Sequence, residues 1–232
     1  MSGNHMIQDK PPDATDVSSA RLVITLALAG LISGVAIIGI YEVTLPTITI
    51  NKARELREAV FKVVPGVSQM QKLVYRDGEL IASSETKKDE QPIYASYDDE
   101  GVFVGYAIPA AGPGFQDTIG LLYGFEPERQ LVTGMEVLES RETPGLGDKI
   151  YKDANFVASF KALLIEPEIV VVKKGRKSKP NEVDAITGAT ISSKAVVRII
   201  NETHAEWSAR LPPAGSEPPL VETEPANTGQ GQ

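Results

Sequence analysis

The chain has 232 residues, 42% of them apolar and 23% charged, enough to bury one core beside a membrane segment but not two large domains. It contains no cysteine, which excludes thiolate-held iron–sulfur clusters, cysteine zinc sites, disulfides and haem attached through paired cysteines, so any redox chemistry belongs to an organic cofactor. A net charge of −8 disfavours polyanions, so nucleic acid is not an expected partner, and His5 and His204 are too far apart in sequence to suggest a metal site.

An N-terminal tail, residues 1–20, precedes a run from Leu22 to Tyr41 that carries no charged side chain. As a helix that run reaches about 30 Å, the thickness of a bilayer's hydrocarbon core. No small-residue cleavage pattern follows it, so it reads as a retained transmembrane helix over residues 21–44 rather than a removed signal. Tyr41 and Pro46 suit an interfacial end at which the helix stops. Gly30 and Gly34, with Ala29 and Ser33 beside them, give one face small enough for a second helix to dock, although glycine is also simply common in membrane helices. Lys10 and Arg21 on one flank and Lys52, Arg54 and Arg57 on the other leave the orientation open.

A globular domain is expected over residues 45–210. Ala53, Leu56, Ala59, Val60 and Val63 recur at three- and four-residue spacing in an amphipathic helix that Pro65 and Gly66 end. Short β-type runs follow at 72–75, 80–83, 93–97, 102–108, 118–123 and 131–138, with turn signals at Asp77–Gly78 and Asp98–Gly101 that favour antiparallel pairing. A helix over 154–164, a strand over 168–172 and a last helix over 193–210 complete an α+β domain. From Leu211 to Gln232 the chain is rich in Pro, Gly, Glu and Thr, and this composition predicts a disordered tail.

The chemistry-bearing segment is Asp184-Ala185-Ile186-Thr187-Gly188-Ala189-Thr190. Gly188 and Ala189 let the backbone approach a ligand, hydroxyls stand at Thr187, Thr190, Ser192 and Ser193, and a helix begins just afterwards. Free amides at such an end suit a phosphate, and ordinary capping by Ser or Thr explains the same residues. Asp184 before the turn reads as turn chemistry or as an acceptor holding the loop. The basic stretch Lys173, Lys174, Arg176, Lys177 and Lys179 can steer an anion, face lipid headgroups, or form a hydrated hairpin around Gly175.

The string Asp184, Thr187, Gly188, Ala189, Thr190 resembles the flavinylation motif of the FMN-binding domain family. In that family a flavin transferase splits FAD and joins the FMN phosphate to the side-chain oxygen of the final residue, here Thr190. Two further stretches resemble family features: Glu142-Thr143-Pro144-Gly145-Leu146-Gly147, the loop beside the isoalloxazine, and Gly112-Pro113-Gly114-Phe115 with Ile119. The resemblance spans about residues 22 to 208. It implies covalent FMN on Thr190, with Thr187, Gly188, Ala189, Asp184, Glu142, Thr143, Gly145, Leu146 and Gly147 around the cofactor. Leu146 and its glycines pack on the ring face in this reading. Thr143 either donates a hydrogen bond or serves the turn, Glu142 is either a ligand or a solvated carboxylate, and no metal or complete active site is expected on this chain.

With its single anchor the layout most closely resembles the G subunit of the Rnf ion-translocating electron transport complex, whose sister is the C subunit of the sodium-pumping NADH:quinone reductase. The resemblance implies an electron carrier in a complex coupling ferredoxin and NAD to ion movement. Its implied partners are the D subunit and also the A, B, C and E subunits, membrane lipid, and a flavin transferase for maturation. It places the FMN domain on the outer, periplasmic face of a bacterial cytoplasmic membrane. A quinone reductase C subunit, a membrane-anchored flavin-binding regulatory module and a purely structural anchor are the alternatives.

Overall fold

The computed structural model describes residues 19–87 and 90–221; His5, Lys10 and the tail beyond Val221 lie outside them. The chain divides between Lys52 and Ala53 into two compact units. Helix α1 (Ser19–Val63) runs through both, and its N-terminal part is long and apolar enough to cross a membrane. The stop expected at Pro46 does not occur. Proline removes one N–H from the ladder, yet hydroxyls on either side supply extra bonds to the backbone: Thr44 Oγ1 donates to the Ile40 carbonyl at 2.9 Å and Thr49 Oγ1 to the Leu45 carbonyl at 2.9 Å.

The second unit is built on one antiparallel sheet. Its strands are β1 (Gln69–Arg76), β2 (Glu79–Ala82), β3 (Ile93–Tyr97), β4 (Phe103–Pro113), β5 (Thr118–Glu126), β6 (Leu131–Ser140) and β7 (Leu163–Leu164), in the spatial order β2-β1-β3-β4-β5-β6-β7. Side chains alternate between its two faces. One face sends Tyr94, Ala107 and Leu122 against Ala59, Val60 and Val63 at the end of α1, where Thr133 Oγ1 donates to the Val63 carbonyl at 2.6 Å. The other carries Leu73, Tyr106, Ile108, Leu121 and Tyr123 into the larger core, covered by α4 (Thr190–Ser208) through Val196, Ile199, Ile200 and Trp207. Burial of these apolar side chains stabilises by roughly 25 cal/mol per Å² removed from water.

Two short helices, α2 (Lys149–Lys152) and α3 (Ala154–Ala158), close the same face with Ile150 and Phe156. The helix expected over 154–164 stops at Ala158. The Ser159 hydroxyl donates to the Phe156 carbonyl, Ala162 adopts φ +56°, and Leu163 and Leu164 pair with the sheet edge instead. Strands β8 (Val170–Val172) and β9 (Glu182–Asp184) pair in parallel, so residues 173–181 form a crossover and not a hairpin around Gly175. β9 and α2 carry no sequence periodicity long enough to mark them.

Residues 211–221 pack rather than hang free, in contrast to the expected disorder from Leu211. The Tyr97 hydroxyl donates to the Pro218 carbonyl at 2.5 Å, the Val221 N–H donates to Gln71 Oε1 at 2.6 Å, and Leu211 and Leu220 lie against the core. Two leucines in a proline-rich segment supply the anchorage that composition hides. His204 is buried with its ring edge-on to Phe125 and Nε2 3.8 Å from Glu166 Oε1. Burial pushes its imidazole below the ordinary value of 6.5, with Glu166 opposing the shift.

Candidate functional site

Thr190 is the first residue of α4, three residues earlier than the periodicity places the helix start, and it is exposed. The residue preceding it, Ala189, occupies the N-cap position and has no side chain to offer the helix amides. The capping explanation of this Thr- and Ser-rich segment therefore fails at its key position. What holds the turn is buried Ser193, whose Oγ accepts from the Ile186 N–H at 3.1 Å and donates to the Ala189 carbonyl at 2.9 Å. Gly188 at φ +84° makes the reversal that leaves Thr190 facing out.

A hollow of about 320 Å³ opens beside Thr190, lined by Phe115, Thr143, Leu146, Gly147, Gly188 and Ile191 among others. Phe115, Leu146 and Ile191 are 62%, 50% and 58% exposed, so three large apolar side chains rim a space that protein atoms do not fill. Such a surface favours an apolar ligand face, and the volume is within the range of small-molecule sites, about 300–1,000 Å³.

Behind this wall lies Glu142, only 5% exposed. Its Oε1 accepts from the backbone N–H of Phe115 at 2.8 Å and of Gln116 at 2.9 Å, and Ser192 Oγ donates to Oε2 at 2.5 Å. Burial alone raises the carboxyl's pKa, but the Ser192 hydroxyl and the amides of Gln116 and Phe115 outweigh it and hold the group below the ordinary value. One carboxylate thus fastens the turn after β4, the 142–147 loop and the first turn of α4 to one another. The surroundings are shaped to it: a Cβ on Gly114 would stand 2.5 Å from Oε1, and one on Gly147 would stand 2.6 Å from Oε2. Thr143 serves the turn: its Oγ1 donates to Gln116 Oε1 at 2.8 Å, and its carbonyl accepts from the Leu146 and Asp148 N–H groups.

On the other side of Thr190 a second hollow of about 430 Å³ is lined by Val171, Lys173, Lys174, Thr187, Gly188 and Lys194, among others. Asp184 does not face it. Its Oδ1 accepts from the Arg176 and Lys177 N–H groups at 3.1 Å each, so it fixes the basic crossover rather than the 185–189 turn. The Lys149 ammonium lies close to Gly188, 3.9 Å from where a Cβ would be. None of Lys149, Lys173, Lys174 and Lys194 has an ion-pair partner among the described residues. In a chain of net charge −8, four cations without an ion-pair partner around the start of α4, of which Lys149 shares its field with Asp148, favour a bound anion.

Of the residues singled out in the sequence, Thr143, Leu146, Gly147, Gly188, Ala189 and Thr190 line the first hollow, and Thr187 lines the second. Glu142 and Asp184 act from behind, and Gly145, at φ +78° with open space around its Cβ position, only turns the loop outward. The solvated role considered for Glu142 is excluded by its burial. Sequence reading missed Gln116, Lys149, Lys194 and Ile191. A glycine-flanked loop ending in Asp148-Lys149 directs attention to Lys149 only once the turn at Gly188 is seen against it.

Residues 114–204 match the FMN-binding domain family. The chain is 32% identical over 190 residues to the G subunit of the ion-translocating oxidoreductase complex of Haemophilus influenzae, covering 77% of this chain and 85% of the relative. This chain belongs to the family of G subunits of ion-translocating oxidoreductase complexes. A second member, the G subunit of the Na(+)-translocating ferredoxin:NAD(+) oxidoreductase complex of Acetobacterium woodii, is 33% identical over 147 residues, 60% of this chain and 68% of its own. The fold is shared with the C subunit of the Na(+)-translocating NADH-quinone reductase of Parabacteroides distasonis at TM-score 0.50 and 23% identity, covering 62% of this chain and 77% of that one. Membership brings FMN to the domain and a membrane setting to α1. The residues present fit that cofactor: the apolar rim suits a flat ring system, and the unpaired lysines beside Thr190 suit its phosphate.

Proposed function

We propose that this protein is the FMN-bearing electron carrier of a membrane complex coupling electron transfer between ferredoxin and NAD to ion translocation, with the FMN joined through its phosphate to Thr190. The observation that carries this is the exposed hydroxyl of Thr190 at an uncapped helix start, between an apolar hollow and a set of unpaired lysines. Bound there, FMN supplies a centre that accepts and releases one or two electrons. Phe115, Leu146 and Ile191 cover the ring's apolar surface, while Lys149, Lys194 and the helix amides neutralise the phosphate.

In maturation the Thr190 Oγ–P bond forms as the bond between the two phosphates of FAD breaks. AMP leaves and the hydroxyl proton is given up to the flavin transferase. Covalent attachment removes loss of the cofactor by dissociation, which matters on a domain that must meet partners at its surface. Those partners are the D subunit first, and the A, B, C and E subunits with it. The FMN domain lies on the outer face of a bacterial cytoplasmic membrane, where electrons reach it through partner subunits.

Denaturing mass spectrometry of the matured full-length protein tests the reading. The expected result is a mass increment of one FMN that Thr190→Ser retains and Thr190→Ala loses. A matured protein without the increment overturns it.

A further inference from the structure

We propose that Glu142 sets the reduction potential of the flavin: its negative charge, fixed one residue behind the hollow's wall, opposes the arrival of electrons on the ring. This rests on the reading of that hollow as the flavin's seat. Three residues against the carboxylate, Phe115, Gly147 and Ser192, are themselves lining residues of the hollow. The charge is therefore near the ligand without touching it.

Geometry alone does not call for a carboxylate here. An amide oxygen can accept from the same Phe115 and Gln116 N–H groups, though more weakly than a carboxylate, and an amide NH₂ reaches the Ser192 oxygen. A buried carboxylate costs free energy that an amide does not. No lysine or arginine pairs with Glu142 among the described residues, so its field is moderated only by the donors that hold it. In a buried setting that field is weakly screened. Lys149, Lys173, Lys174 and Lys194 act with opposite sign from around Gly188 and Thr190. A ring seated in the hollow would have a fixed anion behind its wall and a set of cations around Thr190, and the balance of the two would set its readiness to be reduced.

The test uses matured full-length protein, first weighed for its flavin and then titrated with dithionite while flavin absorbance is followed. Glu142→Gln keeps the two backbone hydrogen bonds, reverses the one with Ser192 and removes the charge, so its potential is expected to move positive of wild type. Glu142→Asp retains the charge and is expected to stay closer to wild type than Glu142→Gln. Ser192→Ala takes away a donor and leaves the charge less compensated, so its potential is expected to move negative. The proposal is overturned by a loaded Glu142→Gln protein with an unchanged potential, or by one that folds but takes up no flavin, because the residue then acts through structure alone. Should Glu142→Gln fail to fold, a Ser192→Ala protein whose potential does not move negative overturns it. A wild-type protein that carries no flavin sinks the reading of Thr190 instead, and the mass measurement separates that failure from this one.

Discussion

Ser193 and Ile186, seven residues apart, close the turn that presents Thr190: the Ile186 N–H donates to the Ser193 hydroxyl at 3.1 Å, and that hydroxyl donates onward to the Ala189 carbonyl at 2.9 Å. Both residues are buried. Ser193→Ala leaves the Ile186 N–H without its acceptor in a place water does not reach, which costs about 1–3 kcal/mol. Urea unfolding of the full-length protein checks the loss. Flavin loading of the variant is expected to fall as well, because the turn no longer holds Thr190 in one place.

Much of this fold is legible in the sequence, and the reason is periodicity. Alternation and turn-bounded apolar runs mark β1 to β6, and the spacing of Val196, Ile199, Ile200 and Trp207 marks α4. β7, β9 and α2, of two to four residues and without such a signal, arise where longer-range contacts place them, and the ends of β8 and α3 are fixed the same way. The site divides the same way. The segment around Thr190 is local and reads directly, whereas Glu142 gains its meaning from Phe115, Gln116 and Ser192, which lie 26 to 50 residues away. No local property of Glu142 distinguishes it from a solvated carboxylate.

The segment after α4 is expected to stabilise the domain rather than trail from it. Tyr97 donates to the Pro218 carbonyl at 2.5 Å, and Gln71 meets both the Pro219 carbonyl and the Val221 N–H. Tyr97→Phe leaves the ring buried and removes one hydrogen bond, a loss of about 1 kcal/mol. Ending the chain after Arg210 also uncovers the apolar surface under Leu211 and Leu220, so it costs more than the single substitution. Thermal unfolding of the two variants side by side gives the order, and equal melting temperatures contradict it.

His204 makes stability depend on pH in one direction. Burial holds its folded pKa below the ordinary 6.5, so the unfolded chain takes up a proton first as pH falls. The stability that neutral His204 provides is complete above 6.5 and is lost as pH drops from there towards the lowered folded value. Replacing it with Phe, which keeps a ring against Phe125, is expected to flatten the stability profile between pH 7 and pH 5. Denaturant midpoints across that interval measure it, and an unchanged slope in His204→Phe rejects the assignment.

The lysines around Thr190 are expected to govern how readily the anionic cofactor arrives. Lys149 lies against Gly188, and Lys194 lines the hollow next to Thr190, each without an ion-pair partner among the described residues. Lys149→Gln and Lys194→Gln remove charge from a partly exposed site, so each is expected to slow flavin attachment severalfold at low salt. Screening shortens the reach of such charges to about 8 Å at physiological ionic strength, so the difference from wild type should narrow as salt is added. Arg176→Gln, on the basic crossover but outside both hollows, supplies the control. Its backbone N–H still donates to Asp184, and its attachment rate is expected to follow wild type. Rates read by mass spectrometry at two salt concentrations decide the matter: a deficit shared equally by all three variants makes the effect one of net charge, not of place.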